Sequence, residues 1–295
     1  MLQHNGQITL NIPIDLRTTI ESGQTFLWNR DDESNIFTET NKQPKYATTR
    51  LIDNEVVVLK AKSENKTIHW ESTHREGEQY IKDILNINYD YKNIQSRIIA
   101  NDKTGTLAEA VRSFPGLRVV TEPLYSTLIS FICSTQMRVE RIHEMVQKLC
   151  ENFGNSVTIG NSTYHAFPKP EQLSQVTEEE LKNLKLGYRA RYVKETSETI
   201  SENNLNPPEQ IEDYRNYLKQ YMGVGEKVAD CVLLYGAGKQ SVVPVDTWIN
   251  KAVDEYYPYM SNKNKTEKAR ELENMFGEYA GIAQAYLFHY MRLNN

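Results

Sequence analysis

The stretch Tyr221 to Trp248, YMGVGEKVADCVLLYGAGKQSVVPVDTW, constrains this chain more than any other. Gly223-Val224-Gly225 is a tight turn, because glycine alone takes positive φ without a steric penalty. Ahead of it, Ile211, Tyr214, Tyr217, Leu218 and Tyr221 recur at helical spacing. After it, Val228, Cys231, Val232 and Tyr235 keep one apolar face. The spacing predicts helix, glycine hairpin, helix. The second helix opens with unpaired backbone N–H groups, which suit a phosphate. Lys227 sits in its first turn, and Asp246 follows 19 residues later, past the breakers Gly236, Gly238 and Pro244. Taken singly, these features also read as an ordinary helical corner, a solvated lysine and a turn or capping aspartate.

Taken together, GVGEKVADC and VPVD resemble the helix-hairpin-helix DNA glycosylase superfamily, and within it the 8-oxoguanine DNA glycosylase/lyase family. The resemblance implies that Lys227 is the nucleophile and Asp246 the catalytic aspartate. Cys231, one helical turn after Lys227 and on the same face, matches the family's cysteine beside the lysine and the base. Gly223 and Gly225 would contact DNA. The chemistry asks for these residue types. A neutral amine can attack C1′ of a deoxynucleotide, expel the base and leave an imine. The imine acidifies the C2′ hydrogens, so the 3′ phosphate leaves by β-elimination. Burial and the positive end of a helix both favour the neutral amine. A monofunctional relative keeps the aspartate and lacks the lysine, so Lys227 is the discriminating residue.

At 295 residues the chain can bury a large core, in one or two domains. Aromatic residues make up 10% of it, which speaks for a folded protein. The apolar runs are too short to span a bilayer and no signal peptide opens the sequence, so no membrane partner is expected. Cys133, Cys150 and Cys231 form no CxxC pair and read as reduced, intracellular thiols. The endonuclease branch of the superfamily carries a four-cysteine iron–sulfur loop; nothing of the kind follows Cys231, so no metal or organic cofactor is expected. The net charge of −5 does not advertise a nucleic-acid binder. Basic residues gather at Lys182, Lys185, Arg189, Arg191 and Lys194, beside Glu178, Glu179 and Glu180.

In the N-terminal part, residues 7–14 alternate through Ile8, Leu10, Ile12 and Ile14, which predicts a half-buried strand. Asp15 caps a short helix that Gly23 ends. Further strands are predicted near 24–28, 36–40, 45–51, 55–60 and 67–72, then helices over 76–85 and 91–99. The segment SGQTFLW resembles the family's N-terminal signature, in which the glycine carbonyl accepts from N7–H of 8-oxoguanine. That match makes Gly23 the lesion reader; on the residue alone it is a helix C-cap.

In the helical part, Leu124–Phe153 predicts two helices joined by the turn STQMR. By resemblance this turn enters the duplex: Arg141 matches the arginine for the cytosine left behind, and Gln136 stands where the family usually has asparagine. LGYRARY implies that Tyr188 wedges into the stack and Arg189 bonds the same cytosine. Trp248 departs from the family's histidine, which touches a backbone phosphate; an indole N–H donates one bond but carries no charge. In AGIAQAYLFHYMR, Phe288 would stack on the flipped base, with Cys231 opposite, and Gln284 would bond its Watson–Crick edge. On the residues alone, these are a core phenylalanine and a half-buried glutamine one turn apart.

The matching blocks run in the family's order from about Gly6 to Arg292. They imply an α+β fold: an N-terminal antiparallel, TBP-like sheet domain over 1–115 and a mostly helical helix-hairpin-helix glycosylase domain over 116–295. The expected function is a bifunctional DNA glycosylase/AP lyase excising 8-oxoguanine opposite cytosine from duplex DNA. The family implies a monomer. The alternatives are a glycosylase of the same fold acting on another damaged purine through Asp246 alone, and a DNA-binding module without catalysis. The expected location is intracellular, in a prokaryotic cytoplasm or a eukaryotic nucleus.

Overall fold

The computed structural model describes residues 2–32, 36–37 and 43–294. The chain opens with β1 (His4–Thr9) and α1 (Leu16–Ile20), followed by β2 (Asn29–Arg30), β3 (Tyr46–Ile52), β4 (Glu55–Glu64) and β5 (Thr67–Ser72). These strands form one antiparallel sheet in the order β1-β5-β4-β3-β2, with Ile8 opposite Ile68 and Val57 opposite Arg50. Asp53 and Asn54, both at positive φ, make the two-residue turn between β3 and β4, the backbone twist that tight hairpins favour. The helix α2 (Gly77–Ile84) packs across β1, β4 and β5. Gly77 permits that approach, since a Cβ there would lie 2.3 Å from the Cβ of Ser72. Ile8, Trp28, Tyr46, Leu59, Ile68 and Ile81 form the core beneath the sheet.

The sheet differs from the sequence expectation at three places. The first strand ends at Thr9 rather than 14. Pro13 has no N–H to donate, and the chain bends there into Asp15, whose carboxylate caps α1 through the Arg17 and Thr18 amides. Residues 24–28 are not a strand. Their polar groups bond across the molecule instead: Gln24 Nε2 donates to the Arg118 carbonyl at 3.0 Å, and Thr25 Oγ1 and Trp28 Nε1 donate to Glu122 at 2.8 and 2.9 Å. Of the strand expected over 36–40, Ile36 and Phe37 lie in a turn and 38–40 fall outside the described residues.

The remainder is mostly helical. α3 (Tyr91–Asn101) and α4 (Thr106–Ser113) lead to α5 (Leu124–Cys133) and α6 (Val139–Phe153). A small hairpin of β6 (Ser156–Ile159) and β7 (Ser162–His165) follows, then α7 (Pro170–Ser174), α8 (Glu178–Asn183) and α9 (Arg189–Asn203). The last group is α10 (Ile211–Leu218), α11 (Glu226–Tyr235), α12 (Thr247–Tyr256), α13 (Lys265–Phe276) and α14 (Ala280–Leu293). α5 is buried from Ser126 to Cys133 and forms the axis of the helical core, against which α9 and α11 pack. No helix among the described residues is long and apolar enough to cross a membrane.

One buried ion pair ties the hairpin helices together. Arg215 on α10 is 1% exposed, and its Nε lies 2.6 Å from Asp230 on α11. Its guanidinium also reaches Glu212 at 2.5 Å and Glu273 on α13 at 3.5 Å. Burial pushes the Asp230 carboxyl up to about 7 against the pull of Arg215, with Glu273 and Glu226 adding to the rise. Removing one partner of a buried pair leaves an uncompensated charge. Arg215→Leu should therefore lose about 3–5 kcal/mol in urea denaturation, and Arg215→Leu with Asp230→Leu should recover most of it. Equal losses in the single and double variants would show that the pair does not couple α10 to α11.

Candidate active site

Six separated segments meet around a cavity of about 670 Å³. They are the turn after α1, the α5–α6 turn with the ends of its helices, the glycine hairpin with α11, residues 244–248, the start of α13, and α14. Of the residues singled out by sequence, Gly23, Gln136, Gly223, Gly225, Lys227, Cys231, Asp246, Trp248, Gln284 and Phe288 all line it.

The hairpin places Lys227. Gly223, at φ +83, packs against Tyr192; a Cβ there would come within 2.5 Å of the ring. Gly225 caps α11 without a side-chain hydrogen bond, so the helix presents bare amides toward the open side. From this first turn, Nζ of Lys227 donates to Ser134 Oγ at 3.4 Å and lies 5.1 Å from the centroid of the Phe131 ring. Ser134 donates its own hydrogen to the Phe131 carbonyl at 2.7 Å, so it can only accept from Lys227. One turn along, Cys231 is 3% exposed. Burial pushes its thiol up to about 11, while the Lys227 charge pulls it down.

Asp246 is the N-cap of α12. One carboxylate oxygen accepts from the Ile249 amide at 2.8 Å, which fixes the plane of the group and leaves its other oxygen for the cavity. Gly23 sits at φ +88, a left-handed conformation natural to glycine, and a Cβ would stand 3.0 Å from Val139. No described residue donates to its carbonyl. Across the cavity, α14 approaches closely at Gly281, where a Cβ would lie 2.5 Å from Leu234 and 2.8 Å from the Val242 carbonyl. Three residues on, Gln284 is 5% exposed and its Oε1 has no partner among the described residues. Phe288 follows one turn later, half-buried, with Arg292 over its ring at 5.5 Å.

Three of the residues picked by sequence stand away from the cavity. Arg141 is exposed on α6 and pairs with Glu144 at 2.5 Å. Tyr188 is 48% exposed, and its ring covers the Arg189 guanidinium at 4.4 Å. Arg189 itself is 5% exposed and donates to the Thr135 carbonyl, so it braces the α5–α6 turn from behind. In that turn Gln136 takes φ +55, a conformation asparagine and glycine adopt more cheaply. The rest of the basic cluster is largely neutralised: Lys182, Arg191 and Lys194 pair with Glu178, Glu195 and Glu198.

Sequence reasoning missed Phe131, Ser134, Arg138, Lys265 and His289, which also line the cavity. Burial holds the His289 imidazole neutral, its pKa lowered to about 3. Ser134 lies 93 positions from Lys227, and no local spacing announces such a contact. Among the described residues no group of acidic, cysteine or histidine side chains is arranged to hold a metal. An amine, a carboxylate, an aromatic face and an unpaired amide around one slot suit attack on a carbon attached to a planar heterocycle.

Residues 129–278 match the family described as the HhH-GPD superfamily base excision DNA repair protein. Residues 7–128 match the N-terminal domain of 8-oxoguanine DNA glycosylase. The N-glycosylase/DNA lyase of Saccharomyces cerevisiae is 32% identical over 96% of this chain and 85% of its own length. A solved structure of MBOgg1 in complex with a low-affinity DNA ligand superposes with a TM-score of 0.85 at 28% identity, covering 98% of this chain and 96% of that one. The Clostridium acetobutylicum 8-oxoguanine glycosylase/lyase, in complex with double-stranded DNA containing cytosine opposite 8-oxoguanine, gives a TM-score of 0.82 at 25% identity, covering 98% of both chains.

With its thiol at about 11, Cys231 is almost wholly protonated at neutral pH. An ordinary thiol titrates near ~8.5 and is partly thiolate at pH 8. Iodoacetamide at pH 8, read by mass spectrometry, should label native Cys231 at least about a hundredfold more slowly than the urea-unfolded chain. Rapid native labelling would contradict the buried, protonated thiol.

Proposed function

The chain belongs to the HhH-GPD superfamily of base excision DNA repair proteins, with an 8-oxoguanine DNA glycosylase N-terminal domain, and on that premise we propose that it is an 8-oxoguanine DNA N-glycosylase and AP lyase. The observation that carries the reading is the unpartnered amide oxygen of Gln284 in the same cavity as Lys227. A buried polar atom without a partner costs about 1–3 kcal/mol, which a ligand donor can recover.

In the proposed reaction the flipped nucleotide enters between Phe288 and Cys231. Gly23 offers its carbonyl to N7–H, the proton that distinguishes the oxidised base, and Gln284 bonds the Watson–Crick edge. The neutral amine of Lys227 attacks C1′. The C1′–N9 bond breaks, and its electron pair leaves with the purine, which takes up a proton. Loss of the amine proton and opening of the sugar ring give an imine to Lys227. Removal of a C2′ proton then expels the 3′ phosphate, and water releases the lysine. Asp246 stabilises positive charge at the sugar as the base departs. Tyr188 fills the vacated stack. Gln136, Arg141 and Arg189 face the orphaned cytosine, for which Arg189 exchanges the Thr135 carbonyl. The amides at Gly223 and Gly225 take phosphate. We assign residues 1–115 to delivery of the lesion reader and 116–295 to the chemistry, acting inside the cell, where three free buried cysteines stay reduced.

Borohydride trapping on a duplex with one 8-oxoguanine opposite cytosine tests this directly. A covalent band is expected with the native protein and none with Lys227→Gln. A trapped band surviving Lys227→Gln, or no band from the native protein, would overturn the lyase. Asp246→Asn separates charge from capping, since asparagine caps a helix about as well. It should leave thermal stability nearly unchanged while slowing single-turnover excision by roughly 10²–10⁴-fold.

A further inference from the structure

Ser134, the C-cap of α5, has no part in the roles above, although Lys227 bonds to it. Nζ of Lys227 donates to its Oγ at 3.4 Å and lies 5.1 Å from the centroid of the Phe131 ring, and no described carboxylate lies within ion-pair distance of the amine. A serine hydroxyl has one hydrogen to give. Here that hydrogen goes to the Phe131 carbonyl at 2.7 Å. Toward the cavity the oxygen is therefore an acceptor, and it cannot donate to a nitrogen lone pair. Its own place is fixed. Ser134 is buried, and its amide donates to the same carbonyl at 3.1 Å. The carbonyl of the next residue, Thr135, is held by the Arg189 guanidinium. Tyr235 and Phe26 pack on the Phe131 ring, stacked and edge-on, each at 5.7 Å.

We propose that Ser134 is the positioning residue for Lys227: its hydroxyl takes one N–H of the neutral amine, aims the nitrogen lone pair into the cavity and leaves that pair free to attack. This role rests on the reading of Lys227 as the amine that attacks C1′. A lysine carries its nitrogen on a flexible four-carbon stem with large rotamer freedom. Unheld, the amine samples many positions, and few of them lie in line with a sugar carbon. A carboxylate partner would hold the nitrogen but favour the ammonium, which has no lone pair. A hydroxyl free to rotate could donate to the lone pair and quench it. A hydroxyl whose hydrogen is committed to a carbonyl does neither. Ser134 thus acts on the rate of attack and not on duplex affinity.

Two measurements separate holding the amine from holding the fold. In protein carrying isotope-labelled lysine ε-carbons, NMR relaxation of the Lys227 signal, assigned by its loss in Lys227→Gln, reads the order of this side chain without DNA. That order should fall in Ser134→Ala toward that of an exposed lysine. It should stay near native in Ser134→Thr, whose hydroxyl can bond the same carbonyl. On a duplex carrying a preformed abasic site, single-turnover borohydride trapping should slow roughly ten- to hundredfold in Ser134→Ala. Ser134→Thr should recover most of the rate. Duplex affinity in Ser134→Ala should stay native, and its melting temperature within about 4 °C of native. A native trapping rate or native side-chain order in Ser134→Ala would overturn the role. So would a loss of affinity or melting temperature that accounts for the slower trapping, or a Ser134→Thr variant as slow as Ser134→Ala. Loss of order in Ser134→Ala with no trapped imine from the native protein would uphold Ser134 as the holder of Lys227 and sink the lyase reading.

Discussion

A guanidinium with almost no access to water holds the last helices of this molecule in register. Arg215 stands between α10, α11 and α13 and takes carboxylates from all three. Arg270 adds a second bridge to Glu212, Glu226 and Glu273. Hydrophobic contacts fill the same space but tolerate sliding; a bidirectional ion pair in a buried niche does not. Asp230 and Lys227 share α11, so whatever fixes Asp230 fixes the height and rotation of Lys227. The rise of Asp230 toward neutrality shows the desolvation cost of this arrangement. The pair therefore matters more for where Lys227 stands than for net stability.

The opposite wall of the cavity is placed by polar groups of the N-terminal segment. Gln24 spans the Thr19 and Arg118 carbonyls and accepts from the Val120 amide. Glu122 gathers Thr25, Trp28 and Arg50 around one buried carboxylate, while its amide donates to the Tyr235 carbonyl at the end of α11 at 2.7 Å. Gly23 thus lies next to a residue bonded into the helical part, and the sheet is coupled to α11 through a few named bonds. Each of these bonds is satisfied, whereas Gln284 Oε1 and His289 Nε2, both on residues that line the cavity, have no partner among the described residues. The contrast separates groups that build the site from groups with capacity left for a ligand.

Much of this was legible where the signal is local. The hairpin glycines, the apolar face of α11, the Asp15 and Asp246 caps and the helical spacing of Gln284 and Phe288 all lie within a turn or two of sequence. Most of what was missed depends on contacts between segments far apart in sequence. Residues 24–28 carry β-compatible side chains, but their polar atoms bond to Glu122 and Arg118, some 95 positions away, and the ladder never forms. Ser134 and Phe131 meet Lys227 only because α5 and α11 pack together. The basic run around Lys182–Lys194 reads as a positive patch until its glutamates fold back on it. For residues 24–28, Ser134 and Phe131 a contact across the chain overrides the local pattern; for the basic run the neutralising glutamates lie one helical turn away.

The same logic resolves how an acidic chain engages a polyanion. Net charge sums over the whole surface, but binding energy depends on which cations lack an internal partner where the ligand lies. Here several of the glutamates that make the chain acidic, Glu78, Glu144, Glu178, Glu195 and Glu198 among them, pair with lysines and arginines on their own helices. Such exposed pairs contribute little to stability, yet they cancel charge away from the cavity. At the mouth the balance reverses: bare amides at the start of α11, an indole N–H, and the ammonium groups of Lys251 and Lys265 stand without carboxylates among the described residues. Cations and amide donors left without internal partners concentrate positive potential at the cavity, while the paired helix faces elsewhere carry little of it.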